Sequence, residues 1–524
     1  MPGRSRFRRT VPHRHRPTRA GGRRGMAAFL RPRFRGALCR KAGRRKMSHS
    51  RSVPARPKNL FVFHLESTSW QTFNAFPEAF PHLRALMEEA RTYRRHYASA
   101  TSTQMVMAAF LHGNDFEMDG AAGLSRPVGN NPSLFTQLAA RGYETSFLCA
   151  SAYPRLPILH LLNASLPEAW KTNDFAMLLQ AFGQRTAQGP FAIYVWCQLP
   201  HIEADLALAS HARHLDELFE GSCAATDTLL GAMLEILRRA GALEHTTTLV
   251  YGDHGDDHGT HGFKSGLLHA VEPYPALIHT PLVIRDEHLP IGSDGRLVST
   301  VDLASTCLDF LGIEGDWPFP QSGRSLLAEG ARTIAFAQNL TASQADMDSC
   351  DVKKGFAALD HSHALLVSAR GLQLFNHRLD PGGHHNLLHH FDLDNGGRLV
   401  PVDLPRPQHQ HFRTQRHLWR SGALQEDVAR LRDALHAHVA AKNAHARERQ
   451  AGVSMLLDLA AFDRLDRTGR EAFLGCAPRP SVSRFQPARP SPPAAPASAR
   501  KRPRWKKWLP RMFQPRPKRS GVRS

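Results

Sequence analysis

The stretch that decides the fold runs Leu249-Val250-Tyr251-Gly252-Asp253-His254-Gly255-Asp256-Asp257-His258-Gly259-Thr260-His261-Gly262. A short apolar run stops at a corner built from Gly, Asp and His. Apolar runs of this length suit a parallel strand covered on both faces. Carboxylate and imidazole at the carboxyl end of such a strand lie where open α/β sheets bind ligands, and they are donors for a divalent cation. Taken alone, the corner reads equally well as a His-rich polar loop.

Working outward, the same pattern recurs. Leu60-Phe-Val-Phe63 is another short apolar run, and order is expected to begin at Asn59. Helical spacing covers residues 80–97, 134–141 (ended by Gly142), 212–240 and 301–311. Strands are expected at 145–149, 191–197, 246–251 and 281–285. Strands alternating with helices argue an α/β fold, a doubly wound and mostly parallel sheet over residues 59–335. Beyond residue 335 the pattern changes: residues 364–368 and 372–375 flank Ala369-Arg-Gly371 as an antiparallel hairpin, within a small C-terminal antiparallel subdomain at 336–422. Residues 423–476 read as a helical extension, with a charged, Ala- and His-rich helix at 423–450 on the surface.

The net charge of +22 sits at the two ends. Residues 1–58 carry 20 Lys and Arg, residues 477–524 carry 14, and neither segment has an acidic side chain. The body between them holds 34 basic against 46 acidic side chains and is itself acidic. The tails are rich in Pro, Arg and Ser, with too little apolar surface to offset the entropy of ordering, and are expected to be disordered. They invite electrostatic attachment to an anionic membrane surface, most of all around Trp505 and Trp508. The N-terminal tail reads rather as translated upstream sequence, since Met26 and Met47 offer later starts. No specific nucleic-acid partner is expected. No run has the length of a membrane-spanning helix, and seven scattered cysteines without CxxC spacing suit reduced thiols. The expected location is the cytoplasm, at the membrane periphery if the tails engage lipid.

Separated motifs then fall into one order. Phe63-His-Leu-Glu66-Ser67 is a strand ending in a carboxylate, and Thr101-Ser-Thr103-Gln-Met-Val-Met-Ala-Ala-Phe-Leu-His-Gly113 is a hydroxyl cluster leading into an apolar helix. Pro200-His201, Asp253-His254-Gly255 and His261-Gly262 with Lys264 follow. Farther on come Gly323-Arg-Ser-Leu-Leu327, Leu379-Asp-Pro-Gly382 and His385-Asn-Leu387. In this order the chain resembles the sulfatase branch of the alkaline-phosphatase superfamily over most of residues 59–390. It departs where that family keeps its modified nucleophile: Thr103 stands at the Cys/Ser position, and Met105 and Met107 replace the motif's Pro and Arg. A single carboxylate, Glu66, stands in for paired aspartates. These departures are closer to lipoteichoic-acid synthases and to phosphoethanolamine and phosphoglycerol transferases.

The resemblance implies one divalent ion (Mn, Zn, Mg or Ca) held by Glu66, Thr103, Asp253 and His254. It implies Thr103 as nucleophile, with His201, His261 and Lys264 offsetting charge or protonating the leaving group. Thr101 and Ser102 stand as alternative nucleophiles, or the three hydroxyls simply cap a helix. The substrate expected is a phosphate or sulfate ester, including an envelope glycan or lipid. Competing readings are a sulfuric ester hydrolase and an inactive scaffold of the same fold. Asp227 is expected to be structural, Asp257 and His258 a solvated loop or spare ligands, and His384, His385, His389 and His390 a surface cluster.

Overall fold

The computed structural model describes residues 57–115, 132–151, 169–201, 215–258, 260–261, 267–317, 322–339, 355–368, 371–388, 391–393, 399–401 and 422–448. The two basic tails, Lys264, His389, His390 and residues 449–476 lie outside them.

The strands in chain order are β1 (Asn59–Leu65), β2 (Arg91–Tyr97), β3 (Glu144–Ala150), β4 (Ala169–Thr172), β5 (Phe191–Cys197), β6 (Thr246–Gly252), β7 (Asp257–His258), β8 (Leu267–Leu268), β9 (His279–Arg285) and β10 (Gly292–Ser299). Eight of them form one sheet in the order β10-β2-β9-β6-β1-β5-β3-β4. β1 lies between β6 and β5 and is parallel to both. All seven of its residues are buried, as are all seven of β5 and of β6. That explains why these strands are apolar almost throughout rather than alternating. β9 is the antiparallel member, running against both β6 and β2.

Two cores flank the sheet. Phe61, Phe63 and Leu65 of β1 face helices Pro81–Glu88, Phe175–Thr186 and Leu215–Arg239. Leu60 and Val62 face helices Thr103–His112, Leu134–Ala139 and Leu303–Phe310. Burial of each large apolar side chain stabilises by roughly 1.5–3 kcal/mol, so the central strands anchor both layers. A separate antiparallel sheet joins β11 (Ala335–Asn339), β12 (Gly355–Leu359), β13 (His363–Ser368) and β14 (Gly371–Asn376) in that order. The expected hairpin is its β13–β14 pair. β15 (Phe391–Leu393) and β16 (Leu399–Pro401) form a short antiparallel pair. The fold is therefore α/β with a large, mostly parallel sheet and a small antiparallel one, as expected.

Two expectations are corrected. The helix expected over 80–97 stops at Glu88, and Arg91–Tyr97 is strand β2, wedged between β9 and β10. Its burial alternates poorly, so tertiary pairing rather than local pattern sets its state. The helix expected on the surface, Ala423–Glu448, buries a stripe of Leu424, Val428, Leu431, Leu435 and Val439 in the core. Its polar residues hold it there: His438 Nε2 lies 2.9 Å from Asp115 Oδ2, and Lys442 Nζ donates to Asp115 O at 2.8 Å. On the same helix, Asp427 approaches Asp360 and His363 closely enough to suggest a metal cluster. Arg430, however, pairs with both Asp360 and Asp427, so a guanidinium already supplies the cation.

Asp227, on helix Leu215–Arg239, accepts from the backbone N–H groups of His82 and Leu83, each at 2.8 Å, in the first turn of helix Pro81–Glu88. It therefore caps a neighbouring helix. Burial pushes its carboxyl up to about 6 against those two hydrogen bonds. Asp227→Ala is expected to cost about 1–2 kcal/mol, read as a lower urea midpoint at unchanged m-value; an unchanged midpoint would refute the cap.

Candidate active site

Glu66, Ser67 and Asp253 follow directly on the carboxyl ends of β1 and β6, so the sheet register brings them together. Ser67 bends the chain out of β1 with a left-handed φ of 54°, uncommon for a residue other than glycine. Its N–H donates to Asp253 Oδ1 at 3.0 Å, and the N–H of His254 donates to the same oxygen at 2.7 Å. Backbone crowding explains the glycines of the corner. A Cβ on Gly252 would lie 2.3 Å from Thr68 O, and one on Gly255 would lie 2.6 Å from Ser69 Cβ.

Thr103 opens helix Thr103–His112, with Ser102 as the N-cap residue. Its Oγ1 lies 3.1 Å from Glu66 Oε1 and 3.1 Å from His254 Nε2. The neighbouring hydroxyls are placed otherwise: Thr101 Oγ1 donates to Val271 O at 2.8 Å, and Ser102 Oγ is buried without a hydrogen-bond partner. Of the three, Thr103 is the one in contact with Glu66 and His254, and it remains half-buried rather than sealed. The helix N-terminus beneath it favours negative charge at this position.

Atoms of four buried side chains converge beside it. His254 Nε2 stands 3.3 Å from Asp253 Oδ2 and 3.7 Å from Glu66 Oε1, and His64 Nε2 stands 3.1 Å from Asp253 Oδ2 and 3.9 Å from Glu66 Oε2. His64, Asp253 and His254 are 0% exposed and Glu66 is 1% exposed. Trp196 Nε1 donates to Glu66 Oε2 at 2.6 Å. Burial, and then the Asp253 charge, push the Glu66 carboxyl well above its ordinary range, against the Trp196 and Thr103 hydrogen bonds. Burial also acts to raise Asp253, but the imidazoles of His254 and His64 prevail and hold it down at about 2. Glu66, Asp253 and His64 offer ligand atoms within 4.8 Å of one another and could hold a cation.

Of the other expected residues, His201 Nδ1 lies 4.0 Å from Glu66 Oε1, and its ring is 4.9 Å from that of His269. His261 is engaged elsewhere: Nδ1 pairs with Asp257 at 2.6 Å, Nε2 lies 3.1 Å from the carbonyl oxygens of Gly382 and Gly383, and the ring stacks on Tyr274 and His384. This makes Asp257 a partner of His261 rather than a solvated loop residue, and it is fully buried. His258 instead faces Asp216 at 3.4 Å.

A family profile described as Sulfatase matches residues 58–313. Over that span the chain is similar to the sulfatase family. Bovine arylsulfatase K is 34% identical over 118 residues, which is 22% of this chain and 20% of that protein. The chain thus spans about a fifth of the length of the curated relatives it matches. Among solved structures, a 2-O GAG sulfatase has the same fold with a TM-score of 0.52 and 13% identity, over 72% of this chain and 93% of that one. A phosphonate monoester hydrolase from Silicibacter pomeroyi follows with 0.50 and 17%, over 66% and 99%.

Within the span that matches the profile, the site gathers residues without a local mark in the sequence. His64 and Trp196 sit opposite each other in the β1–β5 register, and His64 sits opposite Tyr251 in the β1–β6 register. The i, i+2 spacing of His64 and Glu66, which puts both on one face of a strand, was the available signal. Asp256 and His269 form a second pair at 2.8 Å, with the His269 ring stacked 4.5 Å from that of His254. Asp256 is held low: burial would raise it, but His269, with His254 and His201, outweighs burial. No local pattern joins residues 13 apart across a loop. Among the described residues, no helix is long and apolar enough to cross a membrane.

Proposed function

We propose that this protein cleaves phosphate esters, phosphodiesters above all, through a covalent intermediate on Thr103. The observation that carries the reading is the placement of Thr103 Oγ1 3.1 Å from both Glu66 and His254 at the start of a buried helix. The donor set fits a divalent ion, because Asp253 Oδ2 and His64 Nε2 are buried, have no hydrogen-bond partner and face one another. Glu66, Asp253, His254 and the Thr103 oxygen would hold it, and when bound it would lower the hydroxyl pKa and offset charge on the ester.

Thr103 surrenders its proton to solvent, and its Oγ attacks phosphorus as the bond to the leaving oxygen breaks. His201, partly exposed at the rim, delivers a proton to that oxygen, so an alcohol departs. Water, or an acceptor hydroxyl such as that of a glycan or glycerolipid, then attacks phosphorus and returns the hydroxyl to Thr103. The acceptor decides between hydrolysis and transfer, as in the phosphoethanolamine and phosphoglycerol transferases that the nucleophile region resembles. Lys264 joins the charge-offsetting role in this reading. A cytoplasmic location and attachment through the basic tails belong to the same proposal.

The second reading is sulfate-ester hydrolysis, favoured by the similarity to arylsulfatase K. The test compares bis-p-nitrophenyl phosphate with p-nitrophenyl sulfate on the full chain supplied with manganese or zinc. Faster phosphodiester turnover is expected, with a phosphoryl adduct on Thr103 in acid-quenched peptides. Preferential sulfate turnover would replace the first reading by the second.

A further inference from the structure

We propose that His64 is itself a metal ligand through Nε2, giving the site a second imidazole and a preference for zinc-class ions over calcium and magnesium. The inference rests on the reading of this cluster as a metal centre, and it goes beyond the four ligands already assigned. His64 lies near the end of β1, wholly buried, two residues before Glu66, which follows directly on the strand. His64, Glu66 and Asp253 offer ligand atoms that all lie within 4.8 Å of one another.

Both the orientation and the surroundings of the ring support ligation. On its far side, Nδ1 is 2.8 Å from the Tyr194 hydroxyl, which is 2.6 Å from the Tyr251 hydroxyl. The Trp196 and Tyr251 rings stack at 5.8 and 5.2 Å and fix the plane. With Nδ1–H donating to Tyr194 and Tyr194 donating to Tyr251, Nε2 carries the free lone pair. An N–H hydrogen-bonded on one side, with the other nitrogen facing the ion, is the usual arrangement of metal-binding histidines.

The alternative is an ordinary His64–Asp253 hydrogen bond. It fails on direction: the two atoms are 3.1 Å apart, yet neither Nε2 nor Asp253 Oδ2 has a hydrogen-bond partner. Two buried polar atoms left unsatisfied are each destabilising, and a shared cation removes both costs. Separations of 3.1 and 3.3 Å around Asp253 Oδ2 suit neighbouring ligand atoms on one ion with bonds of about 2.0–2.1 Å, and the 3.7 and 3.9 Å separations to the Glu66 oxygens stay within twice that bond length. Two carboxylates and two neutral imidazoles leave a dication electrically balanced. Imidazole suits zinc, whereas calcium and magnesium take oxygen donors.

The test loads the metal-free full chain with one equivalent of zinc and counts imidazoles by X-ray absorption, alongside zinc and calcium affinities by competition. The wild type is expected to show two imidazoles and to favour zinc. His64→Gln should show one and bind zinc about 10–100-fold more weakly, with calcium affinity little changed. Tyr194→Phe should keep both imidazoles and weaken zinc by about 10-fold, a check that survives if His64→Gln misfolds on thermal melting. Asp253→Asn, which empties the centre, separates tight zinc from binding to surface histidines. If Asp253→Asn leaves the tight zinc in place, the metal-centre reading falls and this inference falls with it. If Asp253→Asn loses it while His64→Gln retains both the affinity and the imidazole count, only the role of His64 is overturned.

Discussion

Thr103→Ala is expected to lower kcat/KM on a phosphodiester by at least ~10³-fold and to abolish the covalent adduct. The magnitude follows from position. Thr103 Oγ1 touches both Glu66 and His254, whereas Thr101 is committed to Val271 O and Ser102 Oγ is enclosed. The substitution spares the fold, because Ser102 rather than Thr103 occupies the N-cap position and Thr103 is half-buried. Its cost in stability should be within about 0.5 kcal/mol. Thr103→Ser keeps an oxygen at the same place and should retain activity within about 10-fold. Undiminished turnover in Thr103→Ala would remove this residue as nucleophile.

Removal of the metal is expected to destabilise the protein more at about pH 8 than at about pH 5. In the metal-free site, burial and the Asp253 charge raise Glu66, so the folded state retains a proton that the unfolded chain has lost. Stability then falls as pH climbs from the unfolded carboxylate value of about 4.3 toward the raised folded value. A cation displaces that proton, so its affinity grows over the same interval. Asp253, held at about 2, stays ionised throughout and does not reverse the sign. At a hundredfold excess over Kd the ion contributes about 2.7 kcal/mol, or roughly 3–4 °C in Tm for a body of this size. Melting curves with and without EDTA at the two pH values measure the gap, and equal losses at both would contradict the Glu66 assignment.

What could be read from the sequence was what neighbouring residues decide among themselves. The corner at Asp253 and His254 announced itself because an apolar strand stops there abruptly, and Glu66 ends β1 in the same manner. His64 did not, since one imidazole inside an apolar run carries no local mark. Its meaning comes from Trp196 and Tyr251 in adjacent strands. β2 was misread for a related reason: Arg91–Tyr97 becomes a strand because β9 and β10, nearly two hundred residues later, lie on either side of it. In helix Ala423–Glu448 the buried stripe was present at helical spacing, but abundant Ala and His obscured it.

The central place of β1 has a consequence for the order of assembly. Asn59 meets Phe191 and Thr246, partners 132 and 187 residues farther along. During synthesis β1 therefore stays open on both edges until β5 has emerged, and on one until β6 has. Pairing over such separations folds slowly and leaves apolar strand surface exposed to aggregation. Glu66, Thr103 and Asp253 can come together only at that step, so a nascent chain gains its reactive centre no earlier than the middle of its sheet.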